Sequence, residues 1–121
     1  MKFGFDLDST LDHPEIVRIA NALYDLGDEV HVITVGRLKS AGYLTTQAEK
    51  YAKLDRLGVK YTHCVLVGGD TFEEAGRRKA EYIREHGIGL MIDDSSTFVK
   101  EIALGSGALV LHVKTRDTYS R

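Results

Sequence analysis

Five short apolar runs, separated by stretches of helical periodicity, constrain the fold of this chain more than any other feature. The runs are rich in β-branched residues and lie at positions 2–7, 30–35, 62–67, 89–92 and 108–113. Short, nearly continuous apolar runs are typical of strands buried on both faces of a sheet. Between the runs, apolar residues recur at the spacing of an amphipathic helix. This alternation predicts an α/β fold, a three-layer, doubly wound, Rossmann-like domain with a mostly parallel, five-stranded sheet.

Helix start and stop signals agree with this alternation. Pro14 suits the first position of a helix, and Thr71 followed by Glu74 forms a capping-box pattern. Glycine follows each of four helical stretches, where a left-handed C-terminal cap is expected, at Gly27, Gly58, Gly87 and Gly105. The chain holds one proline and no linker rich in proline, glycine or serine. We therefore expect a single domain over residues 1–121.

Composition and charge exclude several classes of function. Lysine and arginine number 16 against 18 aspartates and glutamates, and the net charge of −2 gives no general attraction to nucleic acid or membranes. The single cysteine, Cys64, excludes an internal disulfide and a cysteine-rich metal site. An acid at Asp6 comes too early for a signal peptide, and no apolar run approaches the length of a membrane span. We expect a cytoplasmic protein with no membrane partner.

Acidic residues terminate the first and fourth predicted strands. Asp6 and Asp8 alternate with an apolar residue, so on an extended chain they point the same way, and Asp93 and Asp94 end the fourth run. Ligands of doubly wound sheets bind at the carboxyl ends of the strands, so all four carboxylates share one crevice if the fourth strand lies beside the first. A hard divalent cation such as Mg²⁺ would offset their mutual repulsion. The alternative is that each acid only caps the helix that follows it.

The order of these residues resembles the motifs of the haloacid dehalogenase (HAD) superfamily. The segment Asp6-Leu7-Asp8-Ser9-Thr10 is similar to motif I, Asp-x-Asp-x-Thr, and Thr34 at the end of the second run resembles motif II. Lys79 lies where the lysine of motif III is expected, and Asp93-Asp94 resembles the paired-acid form of motif IV. The resemblance covers essentially the whole chain and implies a HAD-like sheet with strand order 5-4-1-2-3.

The resemblance implies a phosphohydrolase that acts through a covalent aspartyl-phosphate. Asp6 would be the nucleophile, and Asp8 would be the general acid for the leaving oxygen and then the general base for the attacking water. Thr34 and Lys79 would hold the oxygens of the phosphoryl group, with Arg78 as the nearest substitute for the lysine. A phosphorylated molecule is therefore the expected substrate.

Mg²⁺ is the cofactor that the resemblance implies. The Asp6 carboxylate, the Asp8 backbone carbonyl and Asp93 would bind the ion, with Asp94 as a further ligand or as a residue that orients one. An all-oxygen site also accepts Mn²⁺ or Co²⁺, so the sequence leaves the physiological metal open.

The sequence leaves no room for the cap domain that many HAD enzymes carry. The first helix begins near Pro14, shortly after motif I, and the run that ends at Val67 is followed closely by the next helix near Phe72. A capless site suits a large phosphorylated substrate, such as a protein or a nucleic-acid end, or closure by a second copy of the chain. We expect nucleic acid only as a substrate, and the sequence leaves a homo-oligomer open.

Motif II departs slightly from the family pattern. Val35 separates Thr34 from Gly36 and Arg37, which makes Arg37 a candidate substrate-binding residue together with Thr10 of motif I. The loop at 39–43, which follows the second run, is a further candidate for substrate contact.

Two functions other than a phosphatase stay open. A receiver domain of a two-component system has about this length, five βα units and an aspartyl-phosphate, but it needs the phosphoacceptor at the end of the third strand, where Asp70 follows two glycines. A HAD-fold protein that binds phosphate or metal without turnover would retain the same acids. Turnover separates an enzyme from both alternatives.

Several reactive side chains lie inside the apolar runs. His31, His63 and His112 show no metal-ligand spacing along the chain, so we interpret them as structural. Cys64 lies within a predicted buried strand, which favours a small core residue over a nucleophile.

Overall fold

A computed structural model describes residues 1–114, in which six strands and four α-helices alternate. The strands are β1 (Lys2–Phe5), β2 (Glu29–Leu38), β3 (Tyr43–Leu44), β4 (His63–Gly69), β5 (Leu90–Asp93) and β6 (Leu109–His112). The helices are α1 (Pro14–Asp25), α2 (Gln47–Leu57), α3 (Phe72–Glu85) and α4 (Ser96–Gly105). The end of the predicted domain, 115–121, lies outside the described residues. Within the described part, no helix combines the length and apolar character needed to cross a membrane.

One mostly parallel sheet organises the chain, and the predicted α/β class is confirmed. Parallel pairs join β6 to β5, β5 to β1, β1 to β2 and β2 to β4. The prediction of five strands is wrong by one, because the short strand β3 also belongs to the sheet and pairs antiparallel with the end of β2. The strand order therefore differs from the predicted order by this added strand. Phe5 of β1 pairs with Ile92 of β5, so the strand that leads to Asp6 lies beside the strand that ends at Asp93.

Apolar side chains cover both faces of the sheet, because successive residues of a strand point to opposite sides. The core on the side of α3 and α4 includes Ile33, Val35, Met91, Ile83 and Phe98. The core on the side of α1 and α2 includes Phe5, Val30, Val32, Ala20 and Leu54. Helices on both faces of a mostly parallel sheet are compatible with a Rossmann-like fold.

The predicted helix starts are confirmed. Pro14 is the first residue of α1, and Thr71 Oγ1 accepts a hydrogen bond from the backbone N–H of Glu74 at 3.1 Å at the start of α3. Ser95 caps α4 in the same way, through a hydrogen bond to its side-chain oxygen from the first turn. The N-cap of α4 is therefore Ser95, and the Asp94 carboxylate is not needed for that role.

Three of the four predicted glycine caps are confirmed by positive φ angles, at Gly27 (89°), Gly58 (73°) and Gly87 (67°). The prediction for Gly105 is wrong, because it is the last residue of α4 and the left-handed conformation falls at Gly107, with φ of 77°. A Cβ on Gly105 would lie 3.2 Å from the Cβ of Ala80 on α3. Close packing of α3 against α4, rather than backbone freedom, explains the glycine at this position.

The far end of β2 projects beyond β1 and builds one wall of the candidate site. β1 pairs only with the first residues of β2, as far as Val32, while β2 continues to Leu38 through a bulge between Val35 and Arg37. A 3₁₀ turn at Lys39–Ala41 then leads into β3. This segment therefore stands past the carboxyl end of β1, where Asp6 lies.

Candidate active site

Two aspartates meet at the carboxyl ends of β1 and β5. Asp6 directly follows β1 and Asp93 is the last residue of β5, and the backbone N–H of Asp6 donates to the carbonyl of Ile92 at 2.9 Å. Lys79 reaches both from α3, with its Nζ 2.9 Å from Asp6 Oδ1 and 2.9 Å from Asp93 Oδ2. We call Asp6, Lys79 and Asp93 the ion cluster.

The ion cluster is shielded from solvent. The side chains of Lys79 and Asp93 are fully buried, and that of Asp6 is 7% exposed. Burial raises the pKa of Asp6 well above its ordinary range, although the charge of Lys79 opposes that effect, and the Asp93 carboxylate raises it further. Burial by itself would lower the pKa of Lys79, but the two carboxylates outweigh it and raise that pKa. The ammonium therefore stays charged and holds together two carboxylates that would otherwise repel.

A third carboxylate, that of Asp94, joins the ion cluster. Carboxylate oxygens of Asp6, Asp93 and Asp94 lie within 4.8 Å of one another. Thr10 Oγ1 lies 3.4 Å from Asp6 Oδ2 and 3.3 Å from Asp94 Oδ1, so its hydroxyl stands between these two acids. The predicted convergence of acids from the first and fourth runs is confirmed for these three residues.

This set of oxygens fits a hard divalent cation. Lys79 binds one oxygen of Asp6 and one of Asp93, which leaves Asp6 Oδ2 and Asp94 Oδ1 on either side of the Thr10 hydroxyl. The group contains three carboxyl groups and one ammonium, so acidic groups outnumber basic ones. Mg²⁺ binds one or two carboxylates and keeps several waters, which is the coordination that such a set can supply.

Asp8 has different partners from Asp6. Because β1 ends at Phe5, Asp8 lies in an irregular turn and not on a strand, and its side chain is 47% exposed. Its Oδ2 lies 2.6 Å from Nζ of Lys50 and its Oδ1 lies 2.8 Å from Nζ of Lys53, both on α2. Burial opposes ionisation of Asp8, but hydrogen bonds from the two lysines outweigh it and hold its pKa below the usual range. Asp8 therefore stays a carboxylate that is bound by α2 and not by the ion cluster.

The turn between Asp8 and Thr10 is strained. Within the described chain, Ser9 is the one non-glycine residue with a positive φ, 64°, and its N–H donates to Asp12 Oδ2 at 2.7 Å. Asp12 is in turn paired with Lys53 at 3.0 Å. A left-handed non-glycine residue costs about 1–3 kcal/mol and persists only where surrounding contacts hold it. These contacts fix the backbone that carries both Asp8 and Thr10.

A cavity of about 290 Å³ lies beside the ion cluster. Its polar lining consists of Asp6, Asp8 and Asp94, and its apolar lining consists of Val35, Leu38, Ala41, Tyr43, Phe72 and Phe98. Ala41 and Tyr43 belong to the 39–43 loop that the sequence indicates as a candidate for substrate contact, and the structure places both against the cavity. A bound molecule would therefore meet both carboxylates and aromatic rings.

Thr34, the predicted motif II residue, is not brought to the ion cluster. It lies two residues after Val32 on β2, so strand alternation directs its side chain to the face of α1 and α2, whereas Lys79 approaches from the opposite face. The residue is 1% exposed, and its Oγ1 has no hydrogen-bond partner within the described residues. Its predicted contact with a phosphoryl oxygen stays a prediction.

The predicted basic residues Arg37 and Arg78 are both half exposed. Arg37 bonds to Asp70 at 3.2 Å, and Arg78 lies 3.5 Å from a glutamate on its own helix. Of the two bases considered for motif III, Lys79 is the one that contacts the carboxylates. Asp70, the phosphoacceptor required by the receiver alternative, is 57% exposed.

Lys50 and Lys53 belong to the site but were not predicted from the sequence. The side chain of Lys50 is 4% exposed, and its Nζ also donates to the hydroxyl of Tyr43 at 2.8 Å. A signal was available, because Lys50 precedes the buried Leu54 by one helical turn and so lies on the inward face of α2. A lysine on the apolar face of a helix requires a buried or partly buried acid nearby, and Asp8 is that acid.

Neither the protein-family models nor the curated proteins searched with this sequence give a match. The function must therefore be inferred from the chain's own residues, namely the ion cluster, the neighbouring acids and the cavity beside them.

Proposed function

We propose that this protein is a Mg²⁺-dependent phosphomonoester phosphatase of the HAD type. The observation that supports it most is the position of Lys79 Nζ, 2.9 Å from both Asp6 Oδ1 and Asp93 Oδ2, beside a cavity that Asp8 and Asp94 also line. Buried charge of this density is costly to a fold, so it calls for a functional reason. Transfer of a phosphoryl group needs a nucleophile, a proton-transfer group and fixed positive charge, and these residues supply them.

Asp6 is the nucleophile in this proposal. Its Oδ1 is held by Lys79, whereas Oδ2 has a long contact, 3.4 Å, with the hydroxyl of Thr10. Attack of one Asp6 carboxylate oxygen on phosphorus forms the aspartyl-phosphate and breaks the bond to the leaving oxygen, while the other oxygen would bind Mg²⁺. Burial raises the pKa of Asp6 well above its ordinary range and the charge of Lys79 opposes that effect, and a bound divalent cation would further favour the ionised carboxylate that attacks.

Asp8 is the proton-transfer residue. In its protonated form it gives its proton to the leaving oxygen, and the carboxylate that results takes a proton from the water that attacks phosphorus and releases Asp6. The contacts with Lys50 and Lys53 favour the carboxylate, which is the form that acts as a base. A substrate phosphate competes for the same two ammonium groups, and the loss of their hydrogen bonds raises the pKa of Asp8 toward that of an acid catalyst.

Asp6, Asp93 and Asp94 would hold Mg²⁺, since their oxygens lie within 4.8 Å of one another. When bound, the ion would offset negative charge on the phosphoryl oxygens. Lys79 cannot serve that purpose alone, because its Nζ is already committed to Asp6 and Asp93. The Asp8 backbone carbonyl, which is predicted as a further Mg²⁺ ligand, is part of the same proposal.

The cavity favours a substrate that carries an apolar group next to its phosphate. Its wall includes the rings of Tyr43, Phe72 and Phe98, and the segment from Leu38 to Tyr43 stands on one side of it. A volume of about 290 Å³ holds a small aromatic or aliphatic group but not a large molecule, which would have to extend into solvent. An aryl phosphate is therefore a suitable first substrate.

Hydrolysis of p-nitrophenyl phosphate by the purified protein tests the proposal. We expect release of p-nitrophenol with Mg²⁺ and none after addition of excess chelator. Asp6→Asn should reduce the rate to background, and Asp8→Asn should reduce it by roughly 10²–10⁴-fold. Asp25→Asn is the matched control, because Asp25 is 57% exposed and pairs with Lys60 away from the cavity, and it should leave the rate unchanged.

Retained activity in Asp6→Asn, or turnover that survives the chelator, would contradict this mechanism. If the aryl phosphate is not hydrolysed, a panel of nucleotides, sugar phosphates and 3′-phosphorylated oligonucleotides comes next. Mg²⁺ binding without turnover of any of these would favour the non-catalytic alternative. A stable phosphate on Asp70 after incubation with acetyl phosphate would favour the receiver alternative.

A further inference from the structure

A second group of metal-ligating side chains lies at the opposite end of the sheet from the ion cluster. Glu29 is the first residue of β2, and the parallel register of β2 and β4 pairs His31 with His63. One ligand atom from each of these three residues lies within 4.8 Å of the other two. The proposed phosphatase gives them no role. We call Glu29, His31 and His63 the histidine cluster.

His31 is oriented in the way that proteins orient a histidine ligand. Its side chain is 2% exposed, its Nε2 lies 2.9 Å from Glu29 Oε1, and its Nδ1 lies 2.8 Å from the hydroxyl of Tyr82 on α3. A metal-binding imidazole uses one nitrogen for the ion while the other is fixed by a hydrogen bond to an outer group. Tyr82 is that outer group, and Nε2 is the nitrogen that faces Glu29.

The other two ligands have room to adjust. His63 is exposed, with its ring centroid 4.7 Å from that of His31, and Glu29 has a side chain that is 41% exposed. Ligands bound at 2.0–2.2 Å in a tetrahedron have donor atoms roughly 3.3 Å apart. Rotation of these two solvent-facing side chains would bring the donor atoms to that distance, because the strand register places His63 beside His31 and Glu29 already lies 2.9 Å from His31 Nε2.

We propose that the histidine cluster binds Zn²⁺. Two imidazoles and one carboxylate form a donor set that Zn²⁺ takes with a fourth position open, whereas Mg²⁺ prefers oxygen alone. On binding, the ion replaces the hydrogen between His31 Nε2 and Glu29. That hydrogen moves to Nδ1, and the hydroxyl of Tyr82 changes from donor to acceptor, so no proton is lost.

A further histidine, His86, lies near the histidine cluster but outside its set of mutually close ligand atoms. It follows α3 directly, and its ring centroid is 6.1 Å from that of His31. Its Nδ1 donates to the carbonyl of Tyr82 at 2.9 Å, which leaves Nε2 as the nitrogen that can bind an ion. A site with His86 as its fourth ligand would tie the amino-terminal ends of β2 and β4 to the end of the helix that carries Lys79.

Zn²⁺ calorimetry on the untagged protein, in the presence of excess Mg²⁺ to compete at the carboxylates, tests the site. We expect one equivalent of Zn²⁺ to bind, and Co²⁺ in its place to give the visible absorption of a tetrahedral site. His63→Ala should weaken binding by roughly 100-fold or more, and Tyr82→Phe by about 10–100-fold. His13→Ala removes a histidine outside the cluster and is the matched control, with no expected change.

Three outcomes would overturn the proposal. The first is the absence of Zn²⁺ binding by the unaltered protein, and the second is equal affinity in the unaltered protein and in His63→Ala. Loss of the Zn²⁺ equivalent in Asp94→Asn but not in His63→Ala would likewise overturn it and place the ion at the carboxylates. His63 is exposed, so its variants are expected to fold, and His63→Gln provides a second one to confirm this. No outcome depends on phosphatase activity.

Discussion

Replacement of Lys79 by methionine tests whether one buried ammonium holds two buried carboxylates together. Methionine keeps an unbranched chain and removes the charge, together with hydrogen bonds of 2.9 Å to Asp6 and to Asp93. Removal of one partner from a buried ion pair costs about 3–5 kcal/mol, because the remaining charge is left uncompensated. With an unfolding entropy of about 2.1 cal/mol/K per residue, 121 residues convert that loss into a fall of roughly 12–20 °C in Tm.

The loss of stability in Lys79→Met should grow as the pH rises. Without the ammonium, burial and the neighbouring Asp93 carboxylate raise the pKa of Asp6 with no opposing charge from Lys79, so the folded Asp6 binds a proton more tightly than the unfolded chain does. The fold with protonated Asp6 therefore keeps its stability below the unfolded aspartate pKa of about 3.9 and loses it as the pH rises through the raised pKa of Asp6. Urea unfolding followed by circular dichroism, at several values between about pH 4 and pH 8, measures this trend.

Arg78→Met is the matched control for the Lys79 variant. Arg78 is the adjacent residue on α3, its side chain is 54% exposed, and its contact with Glu81 is 3.5 Å long. Its removal should change the free energy of unfolding by no more than about 0.5 kcal/mol. A loss below about 1 kcal/mol in Lys79→Met at pH 8, or a larger loss that does not vary with pH, would refute the reasoning, because neither fits an uncompensated pair of buried carboxylates.

Three further predictions concern the fold around the site. Burial raises the pKa of the Cys64 thiol from 9.0 to about 11, although Lys50 acts to lower it, so at pH 8 the folded protein should contain about 100-fold less thiolate than the unfolded chain. Iodoacetamide should therefore alkylate Cys64 correspondingly more slowly in the folded protein, as measured by mass spectrometry. Equal alkylation rates in native buffer and in urea would contradict this. Thr71→Ala removes the N-cap of α3 and should cost about 1 kcal/mol in urea unfolding, with Thr71→Ser as the variant that retains the cap. Gly69→Ala would place a Cβ 2.7 Å from the backbone nitrogen of Ala75 and should cost about 1–3 kcal/mol, so unchanged stability would show that β4 and α3 do not approach so closely.

The sequence predicted the parts of the fold that local patterns determine. The five parallel strands and the start of α1 at Pro14 are visible as apolar runs and capping residues, and the structure contains them. β3 was not predicted, because a strand of two residues, Tyr43 and Leu44, is too short to show an alternation. It exists because the end of β2 projects past β1 and leaves backbone groups that the returning chain can pair with.

The carboxylate site could be predicted because its acids come from the ends of neighbouring parallel strands. Asp6 and Asp93 are far apart along the chain, yet the topology alone places the ends of β1 and β5 together. The side-chain directions could not be obtained in this way. The Asp8 side chain does not follow the alternation of β1, because that strand ends at Phe5. The Thr34 side chain does follow the alternation of β2, which directs it to the face of the sheet opposite Lys79. Both depend on where a strand ends or bends, which the apolar pattern does not specify.

Pairing between distant elements explains the residues that the sequence did not reveal. Lys50 is buried because α2 packs its inward face beside the turn that holds Asp8, 42 positions earlier in the chain. His31 and His63 have no metal-ligand spacing along the sequence, but the register of β2 and β4 makes them direct neighbours. Residue spacing along the sequence reveals metal ligands that share a helix or a loop. Ligands that lie side by side on two parallel strands become visible only when the register between the strands is known, and that register is set by packing over the whole sheet.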